Sequence, residues 1–77
     1  MKLCIWTNEI TRHLADNGVT VEEFEAVLND AASEPGISRS SGLPFVVGER
    51  NGRLLLCVFD PVDDVWVVPV TSYEIDQ

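Results

Sequence analysis

Positive charge is scarce in this chain. Its 77 residues carry 5 Lys and Arg against 13 Asp and Glu, for a net charge of −8 and a pI near 4.2. A field of that sign repels nucleic acid and anionic membranes at long range, which excludes an extended nucleic-acid-binding face and leaves any RNA contact to a local patch. Metal-ligand spacing is missing as well: two cysteines, Cys4 and Cys57, and one histidine, His13, form no C-x-x-C or H-x-x-x-H pattern. A zinc site would need all three and a borrowed carboxylate, so neither metal nor other cofactor is expected. Both cysteines lie inside apolar runs, where a reduced thiol behaves as a small hydrophobe, although two cysteines alone leave a disulfide open. No run approaches the roughly 18 apolar residues of a membrane span, and Met1 to Ile10 lack the basic and apolar regions of a signal peptide. These absences predict a cytoplasmic protein with no membrane partner.

What the chain does have is enough apolar material for a core, 45% of its residues including two tryptophans. A chain of this length forms one domain, residues 1–77, and buries only about 60% of its unfolded surface, which favours a shallow surface site over an enclosed cavity. The charge balance reverses locally. Three of the five basic residues, Arg39, Arg50 and Arg53, fall between Gly36 and Phe59 beside a single acid, Glu49, and the same stretch holds Ser38, Ser40 and Ser41 around Arg39. A planar guanidinium among hydroxyl and amide donors suits one phosphate or carboxylate group.

Pattern and punctuation predict the element order β-α-α-β-β-β-β. Lys2 to Trp6 reads as a short strand entering a helix capped by Thr7 or Asn8, with Ile10 and Leu14 at helical spacing and Asn17-Gly18 as the stop. Thr20-Val21-Glu22-Glu23 fits a capping box, with Val19 and Phe24 placed for a hydrophobic staple. The second helix carries Val21, Phe24, Val27, Leu28 and Ala31 on its buried stripe and its glutamates mainly on the wet side. Proline and glycine end helical pattern at Ser33-Glu34-Pro35-Gly36, and four strands follow. Gly42-Leu43 suits a type II′ turn, Asn51-Gly52 is a strong hairpin signal, and Asp60 to Asp64 forms a longer turn. Leu54 to Phe59, apolar at nearly every position, reads as a central strand covered on both faces, while Pro69 marks an edge or a bulge.

If those turns hold, Ser41 pairs with Pro44, Arg39 with Val46, Val46 with Cys57, and Arg50 with Arg53. Arg39, Ser41, Arg50 and Arg53 then project from one side of the sheet, with Thr71 opposite Arg53 and Tyr73 on that side too. Facing arginines destabilise a sheet unless an anion or a nearby acid relieves them, or water screens them at a hairpin tip. Arg39 has the same two readings, an anion ligand or the partner of an acid such as Glu34 or Asp76. His13 sits at the margin of the first helix's apolar face, where it serves either as a proton carrier or as an ordinary surface residue. Tyr73 and Glu74 offer a phenol and a carboxylate at the end of the last strand.

The order of these features resembles a known family. Trp6 before a first helix, Asn17-Gly18-Val19-Thr20-Val21-Glu22-Glu23-Phe24, an arginine within a strand, Gly52-Arg53-Leu54-Leu55-Leu56-Cys57-Val58-Phe59 and a closing strand look like the BrnT toxins of bacterial toxin–antitoxin pairs. Ser38 to Gly42 and Val68 to Glu74 look like a branch of uncharacterised small bacterial proteins grouped with them. The resemblance spans nearly the whole chain and implies a RelE-like α+β fold, with two helices packed on a mostly antiparallel sheet. It also implies a metal-independent endoribonuclease or translation-blocking toxin, with RNA as target and an antitoxin as partner. Carried over residue by residue, Arg39 and Arg53 would stabilise the phosphorane charge, His13 would move the proton, and Tyr73 or Glu74 would assist; Ser38, Ser40, Ser41 and Arg50 would complete the anion site. The family usually has Lys-His before the Gly-Val and a basic residue in the closing strand, where this chain has Asp16-Asn17 and Thr71-Ser72. The alternative is therefore a noncatalytic protein-interaction module, a homodimer included, that keeps the fold without the chemistry and binds through an exposed edge strand or its acidic helix face.

Overall fold

Thr7 caps the first helix by accepting the Ile10 amide at 3.1 Å, and that helix, α1, runs Asn8–Asp16 in the computed structural model, which describes residues 1–75. Its end is a Schellman motif: Gly18 at φ +76° lets its own amide reach Ala15 O and the Val19 amide reach Leu14 O, both at 2.9 Å. The chain turns directly into the second helix, α2, Val21–Asn29, whose capping box forms as the sequence predicts, with Thr20 and Glu23 exchanging side-chain and backbone bonds. Val19 and Phe24, the staple pair, are both buried. The predicted stripe stops one turn short, because Asp30 caps the helix and Ala31 is exposed in the turn beyond it.

The element order is as expected: β1 (Leu3–Cys4), α1, α2, β2 (Glu34–Ile37), β3 (Pro44–Arg50), β4 (Arg53–Pro61) and β5 (Trp66–Glu74). The strands form one sheet in the order β1-β5-β4-β3-β2, antiparallel except for the β1/β5 pair. β1 is shorter than the predicted Lys2–Trp6, but Asn29 at the end of α2 ties it down by accepting the Lys2 amide at 2.6 Å and donating to Lys2 O at 3.0 Å. Asn51 and Gly52 both take positive φ, which makes the β3–β4 connection a type I′ turn and gives the predicted Val46/Cys57 and Arg50/Arg53 pairs. The bulge implied by Pro69 lies where β5 shifts register against Val58 and Phe59. Thr71 consequently faces Val58, not Arg53.

The largest departure is at β2. The Gly42-Leu43 hairpin does not form; instead Pro35 pairs with Val46 and Ile37 with Pro44, and residues 38–43 make a wider loop closed by Ser38 N to Leu43 O at 2.8 Å. Proline and glycine punctuate a sequence, yet both suit this position. Pro35 needs no ladder donor on an edge strand, and Gly36 leaves room for the Phe45 ring, which a Cβ there would overlap. Arg39 and Ser41 thus leave the sheet altogether.

Both helices lie on one face of the sheet, α1 over β5 and α2 over β3 and β4. The core between the layers combines Leu14, Val19, Phe24, Val27 and Leu28 with Leu55, Cys57, Phe59 and Val67 from alternate strand positions. Trp6 closes it at the margin, edge-on to Phe24 with ring centroids 5.5 Å apart and its indole N–H donating to Glu25 at 3.0 Å. β4 is central, but it is covered on one face only.

The layers are in close contact at Gly48, where a Cβ would overlap Ser33 Oγ and stand 3.1 Å from Val27 Cγ1. Ser33 Oγ is held there by donating to Val27 O at 2.7 Å. Gly48→Ala should therefore cost about 1–3 kcal/mol in urea unfolding and more than alanine at Gly42, where the space is open and only the left-handed φ of +74° is strained, at about 1 kcal/mol. Equal costs at the two sites would show that the α2/β3 contact is not close-packed.

Candidate functional site

At one end of the molecule the sheet and helix layers are joined by a polar cluster around Arg53. Its Nη2 donates to both oxygens of Glu23, each at 2.8 Å, and to Gly18 O at 2.9 Å, while Nη1 stands 3.6 Å from Glu74. Asn51, in the hairpin turn, adds a bond to Glu23 at 3.1 Å. Glu23 is only 7% exposed, so its carboxylate serves two purposes at once, completing the α2 cap through the Thr20 amide and neutralising Arg53. The Arg53 hydrogen bond and the Thr20 amide bring its pKa down from 4.5 to about 2. The sequence pattern identified Glu23 as a cap but not as this counter-ion, which only the packing of α2 on the hairpin creates.

The other predicted site residues do not converge on that cluster. Arg50 stands directly across the hairpin from Arg53, exposed and without an ion pair among the described residues. The like-charge conflict is relieved from inside, by Glu23, so no external anion is required for it. Arg39 lies in the 38–43 loop at the opposite end of β3, a strand about 20 Å long at the usual rise per residue. Its neighbouring hydroxyls are engaged locally: Ser38 and Ser40 oxygens are 3.2 Å apart, and Ser41 Oγ accepts the Leu43 amide at 3.3 Å. Of its two candidate acids, Glu34 is in β2, and Asp76 lies outside the described residues.

His13, exposed in the last turn of α1, has Nε2 2.9 Å from Thr71 Oγ1. Tyr73 and Glu74, being successive strand residues, point to opposite faces; Glu74 turns toward Arg53 and Tyr73 away from it. Arg53 and Glu74 therefore meet, His13 stands further along β5, and Tyr73 and Arg39 are elsewhere. Two shallow clefts, about 540 and 410 Å³, are lined by none of these residues. Cys4 and Cys57 are free thiols raised by burial to about 11, with Cys57 Sγ 3.2 Å from Ser72 Oγ in the core, where a thiolate nucleophile is disfavoured.

The larger feature is the sheet face that the helices leave uncovered. By strand alternation it presents Phe45 and Val47 from β3, Leu54, Leu56 and Val58 from β4, Trp66, Val68 and Tyr73 from β5, and Leu3 from β1. Trp66 and Tyr73 are each 42% exposed and Leu3 41%, and only Val58, at the centre, is buried by its neighbours. Charge is confined to the rim, at Glu34, Glu49 and Asp60. An antiparallel sheet with one wet face ordinarily alternates apolar-in and polar-out; here the apolar residues continue over three strands of the outer face. The signal was present in the sequence as apolar residues at both parities of β4.

The ion pair sets a pH dependence. Because Glu23 has a folded pKa below its unfolded value, the stability it contributes is complete above about pH 4.5 and is lost as pH falls through about 2. Glu23→Gln should lower stability at pH 7 by about 2 kcal/mol and flatten the loss between pH 5 and 2, as read from urea midpoints. A variant that keeps the wild-type acid sensitivity would show that the pair does not carry it.

No family model, no curated protein and no solved structure matches this chain.

Proposed function

We propose that this protein is a noncatalytic interaction module whose contact surface is the open apolar face of its sheet. The observation that carries this reading is the uncharged stretch of Phe45, Leu54, Leu56, Val58, Trp66 and Val68 on a face with no layer over it. Neither edge offers a comparable template: β2 is four residues long and contains Pro35, and the part of β5 that the two-residue β1 leaves unpaired contains Pro69 and has Ser72 O taken by Asn17 at 3.1 Å. The acidic helix layer can add electrostatic selectivity against anionic partners, but its side chains are solvated and give little affinity by themselves.

The toxin reading is supported by the BrnT resemblance of the sequence and by an element order that agrees with it. An activity of that kind would work through Arg53, Glu74 and His13, with Arg53 first released from Glu23. Expression in a bacterium should leave growth and RNA intact, for the wild type and for Arg39→Ala alike; RNA cleavage or growth arrest that depends on Arg39 or Arg53 would reverse the preference between the two readings.

For the interaction module itself, a photo-crosslinking amino acid placed at Trp66 or Tyr73 in cells should give a discrete higher-mass adduct, and the same residue at Glu9 on the outside of α1 should give none. Absence of any adduct from both sheet positions would remove the reading.

A further inference from the structure

We infer that the occupant of the open sheet face is a second copy of the chain, packed face to face to give a four-layer α-β-β-α dimer; this rests on the interaction reading above. Sheets pack through their faces with strands near −30° or near 90°, and a twisted sheet face is complementary in shape to its own copy. The area is of the right order. The five strands total 31 residues, which at about 3.3 Å of rise each and about 4.8 Å between strands give a footprint of about 500 Å², and side-chain relief brings this toward the ~800 Å² that each partner contributes to a standard interface.

Charge placement supports the same occupant. The net charge of −8 is carried largely outside the face: Glu9, Asp16, Glu22, Glu25 and Asp30 belong to the helix layer and its ends, which point away from such an interface. The acids at the face's margin are unevenly placed, with Glu34 and Glu49 at the β2/β3 edge, Asp60 toward the end of β4, and none on the face side of β1 or β5. A twofold axis running along the strands carries the Glu34/Glu49 edge of each copy over the β1/β5 edge of the other, so these carboxylates do not face their own copies, while Asp60 stays at the margin toward the end of β4. The buried layer would then hold Phe, Val, Leu, Trp and Tyr side chains, with Thr71 opposite Val58. That is the composition of a core divided between two protomers, and it asks for no basic partner.

Sedimentation equilibrium from about 1 to about 200 µM should show a transition from the 8.5 kDa protomer to twice that mass, with a dissociation constant on the order of 10 µM for an interface at the small end of the stable range. Two copies of net charge −8 repel, so the dimer should tighten severalfold between about 20 mM and about 500 mM salt, whereas a complex with a cationic partner would weaken. In a Trp6→Phe background, Trp66 emission should shift to the blue across the same concentration range. Leu56→Lys should return the protein to a monomer with unchanged circular dichroism. Trp66→Glu, at a site already 42% exposed, serves the same purpose if the central lysine prevents folding.

A monomer throughout the concentration range, or a dimer unaffected by Leu56→Lys and Trp66→Glu, would overturn the inference. If the monomer result comes with in-cell adducts at Trp66 of a mass other than the doubled chain, the dimer fails and the interaction module stands. If neither dimer nor adduct is found, both fail.

Discussion

The structure depends on one carboxylate. Glu23 sits where three requirements coincide: α2 needs a partner for its first amides, Arg53 needs a counter-ion, and the Asn51-Gly52 hairpin needs a tether to the helix layer. A single side chain, nearly buried, meets all three through Thr20, Arg53 and Asn51. Burying a charge is costly unless it is paired and hydrogen-bonded, and here both conditions are met, so the cluster orients α2 over β3 and β4 instead of opposing the fold. Arg53 also reaches Gly18 O, which couples the α1–α2 turn to the same point. The cationic character that Arg53 lends to the sequence is thereby used internally.

A second constraint is the amount of helix available. Two helices of nine residues are each about 14 Å long and about 10 Å wide, enough to roof one face of a five-stranded sheet and no more. The core that results is well formed, with Leu14, Phe24, Leu55 and Val67 fully or almost fully buried. The second face of β4 has the same apolar character, and none of the described residues forms a layer over it. No charge stands at the centre of that face, so covering it would carry little electrostatic cost.

Local chemistry was legible wherever a short segment carries its own hydrogen-bond solution. The Thr7 and Thr20 caps, the Gly18 stop, the Asn51-Gly52 turn and the Pro69 bulge all depend on backbone geometry within a few residues, and all lie where the pattern places them. The β2–β3 connection failed for the converse reason. Its register is set by Pro35 and Gly36 tolerating an edge position and by Phe45 filling the space above Gly36, which are relations between segments and not within one. A shift of the β2 pairing by four residues then moved Arg39 from the sheet to a loop tip and dissolved the expected arginine cluster.

The sequence by itself determined the α+β class, the element order and the two helix starts, because capping, glycine conformation and hydrophobic period act over distances shorter than one turn or hairpin. Tertiary structure alone decided which charges are spent and which surface is left free. Glu23 and Arg53 are 30 residues apart and meet only when α2 lies on the hairpin, and the apolar parity of β4 becomes an exposed face only because both helices fall on the other side. Pairing and coverage are properties of the assembled layers, to which a residue's neighbours in the chain contribute no information.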